Sequence, residues 1–283
     1  MTIAVTAATG HLGSLVVSSL LDRVPAAEIV AVVRDRDKAQ PFADRGVDVR
    51  VADYTDADSF DSALAGVDRL LLISGTDFGD RRAQHAGIID AAAHNGVSLV
   101  AYTSAPAADT STLPVAPDHL ATEQYLAQSG IDHVLLRNGW YHENYLPTLE
   151  TARQTGSVLT SAGDGRVSSA ARADLAEAAA VVLTTDEPVK PVYELGGDVA
   201  WSQAELASTI GDVLGSPVSV AQVQPEEQAA ILAGAGVPPF WADFAVSTDA
   251  SIRDGELEVP GNELSTLIGR PTTPLAETLR AAV

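Results

Sequence analysis

The chain has no cysteine among its 283 residues, so disulfides, iron–sulfur clusters, thiolate zinc sites and cysteine nucleophiles are excluded. Positive charge is scarce as well. Lysine and arginine number 17 against 38 aspartates and glutamates, giving a net charge of −21. Such a surface repels the phosphates of nucleic acid and of anionic lipid, so neither nucleic acid nor an inserted membrane is an expected partner. No apolar run approaches the roughly 20 residues needed to span a bilayer. No basic segment followed by an apolar one opens the sequence, and the expected location is cytoplasmic. The six histidines (11, 85, 94, 119, 133 and 142) form no i, i+4 pair and no His-Glu-x-x-His, so no metal is expected. There are only two lysines, Lys38 and Lys190, and four residues before them stand Arg34 and Asp186. A Tyr-x-x-x-Lys sequence therefore does not occur.

What is present supports a large core, with 46% hydrophobic residues and only 19% charged. The opening stretch is the most informative. Ile3 and Val5 read as a buried parallel strand, and Leu12, Leu15, Val16 and Leu20 recur at helical spacing behind a turn of small residues. Ala7, Gly10 and Gly13 sit three apart, as in G-x-x-G-x-x-G with alanine in the first place. A dinucleotide's pyrophosphate needs close backbone approach and the donors of a helix N-terminus at such a turn. Gly10 would admit the phosphate, and Gly13 would let the helix press on the strand. Ala7 is compatible with binding unless its φ must be positive.

Five further strands are predicted at Ile29–Arg34, Asp48–Val51, Arg69–Ile73, Ser98–Thr103 and Asp132–Arg137, after a first at Ile3–Ala7. Helices are predicted at Leu12–Leu21, Asp37–Arg45, Asp56–Leu64, Arg81–Asn95 and Pro117–Ser129, several closed by glycine (Gly46, Gly66, Gly96, Gly130). Strands alternating with helices specify an α/β fold, a doubly wound parallel sheet of Rossmann type. After Trp140 the pattern loosens. A helix Glu143–Gln154, a strand around Val158–Thr160, the alanine-rich helix Arg172–Thr184, a strand Val192–Leu195, a helix Ser202–Leu214 and a strand Val218–Val223 are expected. The tail, with Pro238-Pro239-Phe240-Trp241, Gly255, Pro260-Gly261 and Pro271, reads as irregular chain between short helices. The expected division is a dinucleotide-binding Rossmann domain over 1–140 and a smaller irregular α/β substrate lobe over 141–283, with 166–185 returning to the sheet.

In a hydride-transferring protein the missing tyrosine–lysine pair has chemical content. Hydride delivery to a ketone creates an alkoxide that needs an acid beside it. Delivery to a quinone creates an aromatic oxyanion whose conjugate acid resembles a phenol, of pKa about 10. Delivery to a cationic carbon needs no proton at all. Acceptors that stabilise their own product are therefore favoured.

The strings Thr6-Ala-Ala-Thr-Gly-His-Leu-Gly13, Ile29-Val-Ala-Val-Val-Arg34, Ala52-Asp-Tyr54, Leu70-Leu-Leu-Ile-Ser74, Ala101-Tyr-Thr-Ser104, Leu136-Arg-Asn-Gly-Trp-Tyr141, Glu143-Asn-Tyr145, Tyr193-Glu-Leu-Gly-Gly197 and Leu267-Ile-Gly-Arg-Pro-Thr-Thr273 run nearly the whole length. They resemble the NmrA-like branch of atypical short-chain dehydrogenases, and within it the bacterial flavin-independent NAD(P)H:quinone oxidoreductases. That branch carries glycine where this chain has Ala7. The resemblance implies NADPH as cofactor, with NAD possible, neither flavin nor metal, and a quinone or other flat aromatic acceptor as small-molecule partner. It leaves monomer and homodimer open. It implies a cofactor set of Ala7, Ala8, Thr9, Gly10, His11 and Leu12 at the pyrophosphate and Arg34 at the 2′-phosphate, with Asp35 beside it keeping NAD possible. Asp53 would meet adenine, and Ser74, Gly75 and Thr76 would follow the fourth strand. Asn138, Gly139, Trp140, Tyr141, His142, Glu143 and Asn144 would line the nicotinamide end, with Arg172 nearby. Gly139 would permit close approach there, and Trp140 and Tyr141 read equally well as packing. His119 and Tyr141 are the candidates for stabilising or protonating the product, His119 reading otherwise as a surface residue. Phe240 and Trp241 read chiefly as core of the small lobe. Two other functions fit the same residues. A triphenylmethane-dye reductase is one, since such sequences share His119-Leu-Ala-Thr-Glu123. A non-catalytic NADP-binding sensor acting through a protein partner is the other.

Overall fold

A computed structural model of the protein describes residues 1–76 and 79–283. Six strands form in the predicted places: β1 (Ile3–Val5), β2 (Ile29–Val33), β3 (Asp48–Val51), β4 (Arg69–Leu72), β5 (Leu99–Ser104) and β6 (Asp132–Asn138). They pair in the order β3-β2-β1-β4-β5-β6, every pairing among them parallel. Between them run α1 (His11–Leu21), α2 (Gln40–Ala43), α3 (Asp58–Ala63), α4 (Arg81–His94) and α5 (Ala116–Ser129). β1, β2 and most of β5 are buried along their whole length, as strands covered on both faces must be. This is the doubly wound α/β sheet that the alternation specifies. Strand order reverses between β1 and β4, and ligands of such sheets bind outside the carboxyl ends at that point.

Later elements are α6 (Leu146–Thr155), β7 (Ser157–Thr160), β8 (Arg166–Val167), α7 (Arg172–Thr184), β9 (Val192–Leu195), β10 (Trp201–Ser202), α8 (Gln203–Leu214), β11 (Ser219–Gln222), α9 (Pro225–Gly234), α10 (Pro239–Arg253), α11 (Glu263–Ile268) and α12 (Leu275–Arg280). β9 adds a seventh strand beside β6. The chain clusters into two units. The first holds 1–108, 118–138 and 172–193, and the second holds 109–117, 139–171 and 194–283. Residues 109–117, expected in the first domain, group with the second because Glu256 binds Ser111 Oγ and the Thr112 N–H, and because Leu113 and Ala116 sit in that unit's core. In the first unit α7 packs on α1, and its run of buried alanines permits the approach.

Proline explains three departures from the predicted elements. Pro41 and Pro147 occupy first helical turns, where their missing N–H costs nothing. Each expected helix therefore splits into a 3-10 turn (Asp37–Ala39, His142–Tyr145) followed by an α-helix. Pro239 likewise falls in the first turn of α10, where it starts the helix, so the tail read as irregular holds a fifteen-residue helix. The two-residue β8–β10 pair is too short to leave a pattern. Among the described residues, no helix is long and apolar enough to cross a membrane.

One buried ion pair ties α5 to β6. Arg137 donates from Nε to Glu123 Oε1 at 3.0 Å and from Nη2 to Glu123 Oε2 at 2.7 Å, and Ser104 Oγ donates to Oε1 at 2.6 Å. Both charged side chains are nine-tenths buried or nearly so. Arg137→Met leaves the Glu123 carboxylate buried without its counter-charge and is expected to cost about 3–5 kcal/mol. Urea unfolding measures this, and an unchanged midpoint contradicts it.

Candidate functional site

An open cleft of about 420 Å³ lies in the first unit. It collects residues from the carboxyl ends of four successive strands: Ala7, Thr9 and Gly10 after β1, Arg34, Asp35 and Lys38 after β2, Asp53, Tyr54 and Thr55 after β3, and Ser74, Gly75 and Thr76 after β4. Val32 and Ala52 line its floor and Gln84 joins from α4. The cleft therefore sits at the reversal of strand order.

The turn after β1 is built by close approach. A Cβ on Gly13 would lie 2.3 Å from the Ala7 carbonyl oxygen and 2.8 Å from Ala8 Cα, so only glycine lets α1 start against the turn. Gly10 is the N-cap of α1, and no side chain caps that end, which leaves the helix's positive pole for a ligand. Ala7 has φ +47°, the left-handed conformation that L-residues other than glycine rarely adopt. That conformation costs an L-residue about 1–2 kcal/mol. Ala8 is buried and its N–H is spent on the Val32 carbonyl at 3.2 Å. Leu12 is also buried and His11 is exposed; Ala8, His11 and Leu12 are not in the cleft wall.

The cations stand on the far side. Arg34 is exposed at the end of β2, and Lys38 follows on the 3-10 turn with Nζ 3.9 Å from Asp35. Arg36, by contrast, is pinned to the Val49 carbonyl at 2.7 Å. Asp53 accepts from the Thr55 N–H and from Thr55 Oγ1, both at 2.9 Å. The Thr55 backbone bond, then its hydroxyl, and more weakly the Arg34 charge hold the Asp53 carboxyl below the usual range.

The wall after β4 is fixed by buried side chains. Ile73 N–H donates to Thr6 Oγ1 (2.9 Å), Ser74 N–H to Thr103 Oγ1 (2.8 Å) and Gly75 N–H to His85 Nε2 (3.0 Å). Tyr54 Oη donates to the Ile73 carbonyl at 2.7 Å, and its hydroxyl shares a 2.6 Å hydrogen bond with Thr6. Burial raises the Tyr54 phenol well above its ordinary value, so it stays protonated. Below this wall His119 is buried, neither at the surface nor in the cleft wall, with Nδ1 2.8 Å from Tyr102 Oη. Burial, then the charge of Arg81, push His119 down to about 3 and His85 down to about 4.

Asn138 ends β6 with its Oδ1 buried and, among the described residues, without a hydrogen-bond partner. Arg172 opens α7 in the same unit. The other residues of that run belong to the second unit. There a Cβ on Gly139 would meet the Leu195 carbonyl at 2.9 Å, so the space is used by the chain itself. Trp140 stacks on Phe244 at 6.5 Å. Tyr141 bridges to Ala170. Glu143 and Asn144 lie in the 3-10 turn with His142, whose ring is 2.7 Å from Ser169 Oγ and 2.9 Å from the Thr273 carbonyl. Phe240 and Trp241, read as core, are about half exposed, because their positions at the first turn of α10 face outward.

A family model described as NAD(P)H-binding matches residues 7–186. The chain belongs to this family, in its NmrA-like branch. It is 46% identical over 277 residues to quinone oxidoreductase 2 of Escherichia coli (strain K12), covering 98% of this chain and 97% of the relative. The crystal structure of that NADPH-dependent quinone oxidoreductase complexed with NADPH superposes with a TM-score of 0.95 at 45% identity, over 99% of both chains. The triphenylmethane reductase of Citrobacter sp., complexed with NADP(H), superposes with a TM-score of 0.94 at 39% identity over 100% of both.

Sequence reasoning missed Val32, Lys38, Ala52, Tyr54, Thr55 and Gln84 among the residues lining the cleft. Lys38 alone left a signal, as one of the chain's two lysines four residues beyond Arg34. Relief of the Ala7 conformation predicts that Ala7→Gly stabilises the protein by about 0.5–1 kcal/mol, net of glycine's greater unfolded freedom, in urea unfolding. The buried imidazoles predict acid sensitivity. Stability is full above pH 6.5, the ordinary imidazole value, and falls as pH drops toward 4, because the unfolded chain takes up protons that the folded rings refuse. His119→Asn is expected to lose less stability across that window than the unsubstituted protein.

Proposed function

We propose that the protein is an NADPH-dependent oxidoreductase that reduces a quinone by direct hydride transfer, without flavin. The observation that carries this reading is the cleft at the strand-order reversal, with an uncapped helix pole at one end and Arg34 and Lys38 at the other, in a chain of net charge −21. The near full-length likeness to quinone oxidoreductase 2 of E. coli supports it.

The residues fit a phosphorylated dinucleotide. Turn Ala7–Gly10 and the first amides of α1 would hold the pyrophosphate, Arg34 and Lys38 the 2′-phosphate, and Asp53 the adenine. Ser74, Gly75 and Thr76 would bound the cleft on the β4 side, and Asn138, whose buried Oδ1 has no hydrogen-bond partner among the described residues, is the candidate for the nicotinamide end. When bound, the reduced nicotinamide supplies a hydride. The chain's part is then to place the acceptor and exclude competing geometry, which is catalysis by proximity.

The reduced quinone does not require a dedicated acid. His119 is a poor one, being neutral, buried and already bonded to Tyr102. The string His119-Leu-Ala-Thr-Glu123 shared with dye reductases also loses its force as a substrate signal. Its polar members face the core: His119 toward Tyr102, Thr122 toward His85 and Glu123 toward Arg137.

Purified protein is expected to oxidise NADPH when benzoquinone is added without flavin, and to do so faster than with crystal violet. Absence of turnover with binding of both oxidised and reduced cofactor would support a sensor instead. Arg34→Ala with Lys38→Ala is expected to raise KM for NADPH by about 10- to 100-fold, the loss of two charge-assisted contacts, with KM for NADH little changed.

A further inference from the structure

We propose that His85 is a positioning residue of the cleft, holding the Ser74–Thr76 wall in place through a neutral imidazole of fixed tautomer. The proposal rests on the cofactor reading above for its effect on binding, and on hydrogen-bond geometry for the rest.

An amide N–H has only a proton to offer. Gly75 N–H points at His85 Nε2 at 3.0 Å, so Nε2 must present its lone pair. The ring's one proton then sits on Nδ1, 2.9 Å from Thr122 Oγ1, which accepts it. Thr122 sends its own hydroxyl proton to the Asp118 carbonyl at 3.0 Å, one turn back along α5. Donors and acceptors alternate without conflict from Gly75 to α5.

The ring has no freedom to escape this role. It is fully buried and packed edge-on against Tyr54 at 6.3 Å and Tyr102 at 5.5 Å. Tyr54 presses the same wall from the other side, since a Cβ on Gly75 would lie 3.3 Å from its ring. The charged groups around the imidazole are Arg81, which opposes a second ring proton, and Asp118, which favours one less strongly. A protonated ring would set N–H against N–H at Gly75 and release the wall.

No metal, redox step or covalent change is involved. His85 touches the backbone of the cleft wall and acts through it, so its loss should appear in cofactor binding before it appears in turnover.

The test compares His85→Gln, whose amide oxygen can replace Nε2 as acceptor, with His85→Leu, which cannot. In His85→Leu, KM for NADPH with benzoquinone is expected to rise about fivefold to tenfold, the worth of one buried hydrogen bond, while kcat changes less. Hydrogen exchange at the Gly75 amide should accelerate in this variant, and His85→Gln should restore both readouts most of the way. Nitrogen-15 spectra of the unsubstituted protein at pH 7 should show His85 unprotonated at Nε2 and protonated at Nδ1. If His85→Leu does not fold, Thr122→Val removes the acceptor for Nδ1–H and should accelerate Gly75 exchange alone. Protonated Nε2, unchanged Gly75 exchange in the variants, or a His85→Gln protein as defective in KM as His85→Leu would overturn the proposal. Failure of the unsubstituted protein to bind NADPH would instead defeat the cofactor reading, because the tautomer and exchange measurements need no cofactor.

Discussion

The cleft depends on how the backbone is satisfied where β4 stops. Past Leu72 the chain leaves the sheet, and its next three amides face the interior, where an unpaired N–H is costly. Thr6, Thr103 and His85 take them in turn, from the residue after β1, from β5 and from α4. Side chains thus continue the work of the ladder for three residues beyond its end. The same bonds fix the wall in space, because each acceptor is itself buried and held. Residues 73–75 thereby become part of the scaffold.

Charge follows a similar economy. In a chain carrying 38 acidic residues, the cleft sets Arg34 and Lys38 beside Asp35 and Asp53, so its lining does not share the acidic excess of the whole chain. The turn after β1 adds partial positive charge without any side chain, through a helix N-terminus left uncapped. Ala7 shows that the geometry of this turn is retained even where it costs conformational energy.

Polar residues that look like chemistry in the sequence can be architecture in the fold. His119, Thr122 and Glu123 lie within five residues and make three separate buried contacts, none of them in the cleft wall. His142 lies in the second unit, tied to Ser169 and Thr273. A string shared between proteins of different substrate can record a common core as readily as a common reaction.

Local pattern by itself determined the alternating strands and helices, the tight turn from β1 into α1 and the mechanical need for Gly13. Short buried runs and small residues leave such marks because the forces that set them act within a few residues. The glycines expected to close helices, such as Gly46 and Gly130, have the positive φ that role requires. Proline was harder to read, since its effect depends on whether it falls in a first turn or an interior one. Only the tertiary structure decided that Tyr54 and His85 serve the cleft, that Ala7 is left-handed, and that residues 109–117 join the second unit. The first and last of those facts depend on contacts between residues ten to 145 positions apart, such as Gly75 with His85 and Ser111 with Glu256. Such pairings have no signature in a single sequence, because either partner alone is an ordinary polar residue.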